Sequence, residues 1–297
     1  MNKEIRDTML RKIANTLTTN VDSLCPIGLF EGKMGVCLFY FRYSKCFKSS
    51  FYSDLSFSVV EDIIKSIKRN DIKFSTIQRM SEIGIGMSLL LGGGFVDRKD
   101  CEKVLFQIDN IVLNAPTLPI TNDYNYNIFT SGLYLVKRCI YSPNTLDTSF
   151  IEKYCKKITS YVEDNVKSLL KEPSKELMCS IVYSLEDLYK ILKISVISET
   201  SIYLRDIGQV VEENIKKDSE SFYKQQLKVN GNRLFEKNKY ISDDSYYYWK
   251  CYLYDIEPVF GNEMLEEYDD LISNSYYKRM ISINKLCSIG HCLLNIK

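Results

Sequence analysis

His291 is the only histidine of the chain and stands four residues after Cys287. On a helix that spacing puts an imidazole and a thiol on one face. Thiolate sulfur and neutral imidazole nitrogen are the ligands that zinc takes up most readily, so the pair is a candidate for metal chemistry; the alternative is a packed thiol beside a hydrogen-bonded histidine. Aromatic residues gather at Tyr246-Tyr247-Tyr248-Trp249 and Tyr252, beside Lys250. Such a cluster can serve as a peptide or sugar platform, because these rings offer contact area and hydrogen bonds at low entropic cost; it can equally be packed between helices. The acidic pairs Asp243-Asp244, Glu266-Glu267 and Asp269-Asp270 could in principle act as acid and base across a glycosidic bond. They stand in no recognisable catalytic phrase and read more simply as solvated faces. Gly92-Gly93-Gly94 lacks the Lys-Ser/Thr of a phosphate loop and follows an apolar run, which makes it a helix stop.

The elements that must position these groups read as helices. Leu55, Val59, Ile63, Ile64 and Ile67 recur at steps of three and four, as do Ile151, Tyr154, Cys155, Ile158, Tyr161, Val162, Val166 and Leu169, each with a charged opposite face. Proline-bearing breaks at 115–119, 142–144 and 172–174 look like interhelical loops, and the polar stretch from Asn230 to Asp244 is the candidate for a long functional loop. With 297 residues the chain can bury a sizeable core. Its 39 Lys plus Arg nearly balance 38 Asp plus Glu, so no overall field favours nucleic acid. No apolar run is long enough to span a bilayer, and Met1 to Leu17 has no core like that of a signal peptide. The ten cysteines form no Cys-x-x-Cys pair and no disulfide framework. These features point to a soluble, cytoplasmic protein with reduced thiols, organised as a single domain over 1–297.

Glycine or small-residue clusters recur about every 50 residues, the length of a helical hairpin repeat: Gly28-Leu29-Phe30-Glu31-Gly32-Lys33-Met34-Gly35-Val36, Ser81-Glu82-Ile83-Gly84-Ile85-Gly86-Met87, and Thr130-Ser131-Gly132-Leu133-Tyr134, with a fainter echo at Met178 to Val182. Glycine inside a helix costs about 1 kcal/mol relative to alanine. These clusters are therefore expected at helix starts, where something approaches the backbone closely.

The first phrase resembles the Gly-Leu-x-x-Gly-x-x-Gly-Ile/Val opening of lanthionine synthetase C-like repeats. Ser81 to Asp97 is similar to the second repeat, and Asp123-Tyr124-Asn125-Tyr126 with Gly132 to Arg138 to the third. The resemblance spans Gly28 to about Arg138 and implies an all-α fold, an (α/α) toroid of helical hairpin repeats with concentric inner and outer helices. Active members of the family hold zinc with a cysteine from a Trp-Cys-Tyr-Gly-like motif and a later Cys-His pair. That zinc activates a substrate cysteine for addition to a dehydrated Ser or Thr, which closes a thioether ring. Here Trp249-Lys250-Cys251-Tyr252 approximates the first motif with Lys250 inserted, and Leu286-Cys287-Ser288-Ile289-Gly290 approximates the second with Ser288 in the place of histidine.

The ligand set implied by the resemblance is thus broken. Cys251, Cys287 and His291 are the residues left for a displaced zinc site, and a non-catalytic protein without cofactor is the expectation. Its partners would be a peptide or a peptide-modifying enzyme, bound through Tyr247, Trp249 and Tyr252. The zinc-dependent cyclase is the alternative. The chain ends six residues after His291, whereas the family continues through a further repeat, so the ring is expected to be incomplete or completed by another chain.

Overall fold

In the computed structural model, residues 2–23, 26–30, 32–68, 76–113, 122–142 and 280–296 are described, with single positions Ser149, Ile151, Tyr154, Trp249, Tyr252, Leu253, Tyr268 and Ile272. Among them there are seven α-helices and no strand: α1 (Lys3–Asn20), α2 (Lys33–Phe47), α3 (Ser50–Lys68), α4 (Thr76–Gly92), α5 (Arg98–Leu113), α6 (Asn122–Tyr141) and α7 (Met280–Leu293). The chain divides into two compact units, Met1–Lys73 with Asn230–Lys297, and Phe74–Val229. The expected all-helical class is therefore observed among the described residues.

In the first unit Asn2 opens α1 by accepting the Glu4 backbone N–H at 2.9 Å. A single stripe of α1, including Met9, Leu10, Ile13, Ala14 and Leu17, is buried; each large apolar side chain contributes roughly 1.5–3 kcal/mol by leaving water. α2 is different. Met34 through Phe41 and Tyr43 are all buried, so its first two turns are enclosed on every side, while Lys45 and Cys46 near its end are exposed. Lys48, in the left-handed region at φ 53°, ends α2 and turns the chain into α3 within two residues. α3 carries the periodicity expected from Leu55 to Ile67, with Val59, Val60 and Ile63 buried.

α7 completes this unit by packing on both α1 and α2. A Cβ on Gly290 would come within 2.6 Å of Phe39 in α2 and 3.3 Å of Ile13 in α1, so the missing side chain is what lets three helices meet. Arg6 donates to the Ile296 carbonyl while Ile13 lies against Gly290, which makes α1 antiparallel to α7. Phe39 lies against Gly290 and Arg42 reaches Asn295, so α2 and α7 run parallel.

The second unit shows a register. Ser81 of α4 hydrogen-bonds Ser131 of α6 at 2.9 Å, and the place of a Gly84 side chain is filled by the Tyr134 ring. The same place at Gly92 is filled by Tyr141. Contacts that advance together along both helices make α4 and α6 parallel neighbours, matched at the repeat length that the sequence suggests. α5 runs back against both: its Cys101 approaches Met87 of α4, while Arg98 meets Ser142 and Asp109 meets Tyr134 and Arg138 of α6.

Gly92-Gly93-Gly94 does stop its helix. Gly94 sits at φ 67°, Phe95 donates to the Leu90 carbonyl at 3.0 Å and Gly94 to that of Leu91 at 3.1 Å, a left-handed cap that satisfies the last carbonyls. Asp97 then caps α5 through the Asp100 N–H. The glycines of the second and third repeats lie elsewhere than expected. Gly32 caps α2 and Gly35 lies in its first turn, but Gly84, Gly86 and Gly132 sit in the middle of α4 and α6. At Gly84 the close approach that a glycine permits is to an aromatic ring on a neighbouring helix.

Most of the second expected helix, from Ile151 to Leu169, the stretch from Asn230 to Asp244 and the three acidic pairs lie outside the described residues.

Candidate functional site

α7 places Cys287 and His291 on one face, as their spacing predicts, and both are buried; His291 is 0% exposed. What surrounds the imidazole comes mostly from α2 and from residues 249 and 252. Its Nε2 stands 3.0 Å from the Gly35 carbonyl and its Nδ1 2.9 Å from Nη1 of Arg42. A carbonyl can only accept and a guanidinium can only donate, so Nε2 carries the proton and Nδ1 offers its lone pair. The ring is the neutral Nε2–H tautomer with both nitrogens engaged.

Aromatic rings close the rest of the cage. Tyr252 stacks on the imidazole at 4.7 Å and 18°, Trp249 lies tilted at 4.7 Å, and Phe39 meets it edge-on at 5.9 Å. Trp249 is itself buried, against Phe30 and against Gly35, where a Cβ would stand 3.0 Å from the indole. Its indole N–H has no acceptor among the described residues. Arg42 lies over the Tyr252 ring at 4.3 Å and also donates to the His291 carbonyl at 3.0 Å and to Asn295 Oδ1. The guanidinium thereby sits at the carbonyl end of α7, where the helix dipole favours a cation.

Burial pushes the His291 pKa well below its ordinary value, the Arg42 cation pushes the same way, and the Gly35 carbonyl opposes them. Burial raises the Cys287 thiol, with Arg42 partly offsetting it. The nearby Cys37 thiol is raised by burial and further by Cys287. These directions favour a neutral imidazole and neutral thiols.

The zinc implied by the resemblance does not fit Cys287 and His291 as they lie. A ligand must present a free lone pair, whereas Nδ1 accepts from Arg42 and Nε2 bears the proton given to Gly35. A fixed guanidinium 2.9 Å from Nδ1 adds charge repulsion against a divalent ion. Ser288 is fully buried and donates its hydroxyl to the Lys285 carbonyl at 2.8 Å. Cys251 and Tyr247 lie outside the described residues. Among the described residues, no cluster of three His, Cys, Asp or Glu side chains is arranged to hold a metal. Of the expected aromatic trio, Trp249 and Tyr252 come together on His291; Trp249 lies inside the unit and Tyr252 is half-buried.

Sequence reasoning missed Arg42, whose only signal was a cation within an otherwise apolar run from Met34 to Tyr43. It also missed a second polar centre in the other unit. Arg138, 0% exposed, is held by Glu102 at 2.8 Å and Asp109 at 3.2 Å, and the Tyr134 hydroxyl donates to Asp109. With both carboxylates turned to one cation, this cluster reads as a brace between α5 and α6.

Among the described residues no helix is long and apolar enough to cross a membrane. Comparison with protein-family models, with curated proteins and with solved structures finds no match for this chain.

Proposed function

We propose that the protein is a non-catalytic relative of the lanthionine synthetase C-like proteins, an (α/α) toroid that binds a peptide or a peptide-modifying enzyme and does not cyclise it. The toroid reading draws on helix arrangement inside each unit. Enclosed helices alternate with one-sided ones along the chain, α4 and α6 are parallel at the repeat spacing, and α7 returns to lie parallel to α2. A ring of inner helices closed by its first and last members would have these contacts.

The absence of cyclase chemistry is carried by one observation: the chain's single imidazole is buried with both nitrogens engaged. Thioether closure needs a substrate thiolate and a proton acceptor in reach of it, and His291 offers neither a free lone pair nor access. The resemblance of the glycine phrases supplies the pathway, and the helical scaffold supplies a surface for a partner.

The test is incubation of the purified chain with added zinc and a synthetic peptide carrying one cysteine and one dehydroalanine. Ring closure leaves mass unchanged, so the readout is the cysteine that remains open to alkylation. The expected outcome is full alkylation together with saturable peptide binding by fluorescence anisotropy. Zinc-dependent loss of the alkylatable thiol would establish the cyclase reading instead.

A further inference from the structure

We infer that Arg42 is the resident cation of the His291 cluster: the guanidinium takes the imidazole lone pair that a metal would use and fixes His291 as a strut between α2 and α7. Three observations converge. Arg42 makes three contacts at the end of α7 and just beyond it, with the His291 ring nitrogen, the His291 carbonyl and Asn295. Its charge faces the Tyr252 ring and the carbonyl end of α7, both of which attract cations. On its other side, the imidazole donates its Nε2–H to the Gly35 carbonyl in the first turn of α2, where the missing Gly35 side chain lets Trp249 lie against the helix. The two contacts from α2 are seven residues apart, about two turns, and so place His291 along one face of that helix. A planar, permanently charged group with several fixed donors suits this role, whereas a lysine would supply only a point charge.

The inference deepens the non-catalytic reading and can fail separately from it, because imidazole spectroscopy reports the strut and thiol alkylation reports turnover. A chain with one histidine gives one set of ring signals, so nitrogen NMR of the ¹⁵N-labelled protein needs no assignment by mutation. The expected spectrum has a protonated Nε2 and an unprotonated Nδ1. Adding cobalt(II), a visible stand-in for zinc, should leave the ring signals unchanged and produce no thiolate-to-cobalt absorption. Arg42→Met should leave the Nε2 proton on the Gly35 carbonyl, shift the Nδ1 signal to that of a ring nitrogen without a donor, and lower the thermal midpoint by roughly 5 °C or more; Arg42→Lys should restore the wild-type Nδ1 signal only in part. Should Arg42→Met fail to fold, the wild-type and Arg42→Lys spectra still decide. A protonated Nδ1 in the wild type, cobalt bands lost on Cys287→Ala, or an Arg42→Lys spectrum identical to wild type would overturn the inference.

Discussion

An imidazole sealed from water and set beside a guanidinium takes up a proton only at a cost, and that cost is readable as acid sensitivity. In the unfolded chain His291 protonates near 6.5, while in the folded protein its pKa lies well below that value. The unfolded state therefore binds the extra proton first as pH falls. Stability from neutral His291 is fully present above about pH 6.5 and declines below it, toward the depressed folded value, by up to about 1.4 kcal/mol per pH unit. Urea midpoints should be level between pH 7 and 8 and fall below 6.5, with a shallower fall in His291→Gln. At Gly35 the constraint is steric. A methyl group there would run into the Leu29 carbonyl and the Trp249 ring, and a backbone carbonyl cannot swing aside. Gly35→Ala should cost about 2 kcal/mol or more in chemical denaturation; an unchanged midpoint would mean that the α2 entry is looser than described. The Cys287–His291 face was legible because a four-residue step on a helix is local geometry. Arg42 was not, since nothing in the local pattern links it to a histidine 249 positions away.

At the scale of elements, buried and exposed positions on the helices should differ in thiol chemistry. Cys37, Cys101, Cys139, Cys287 and Cys292 are buried and Cys46 is exposed, all six as free thiols. Burial pushes Cys101 and Cys139 up to about 12, so at pH 8 they hold almost no thiolate. Among these six, a thiol reagent should modify Cys46 rapidly and the other five only on denaturation, as peptide mapping by mass spectrometry would show. The α5–α6 brace makes a different prediction. Arg138→Met strands Glu102 and Asp109 without their shared cation, and breaking a buried pair in this way costs about 3–5 kcal/mol. A loss below 1 kcal/mol in denaturant titration would show that water reaches the carboxylates. Element type was readable wherever the pattern was local, as in the α3 periodicity and the glycine stop after α4. The glycines inside α4 and α6 were misplaced because a glycine's need for space at Gly84 is set by Tyr134, fifty residues on, and no helix-start rule encodes that neighbour.

For the molecule as a whole, the first unit is discontinuous in sequence while the second is continuous. Removing residues 280–297 should therefore abolish cooperative unfolding of the first unit, because α1 and α2 lose the helix on which both pack. Hydrogen exchange would check this, with protection lost from α1 and α2 and kept in α4 to α6; retained protection in α2 would contradict it. The same discontinuity bears on synthesis. During translation α2 emerges with apolar side chains on every face, and α7 follows only after some 230 further residues, roughly 10 to 50 s later at ordinary elongation rates. Over that interval the second unit has all of its chain available to fold, while α1 and α2 wait with a face meant for a helix not yet made. Closing so distant a contact is slow compared with pairing neighbours. The nascent N-terminal segment is consequently the part most exposed to self-association, and the ribosome-bound chain is where a chaperone has the greatest effect on yield.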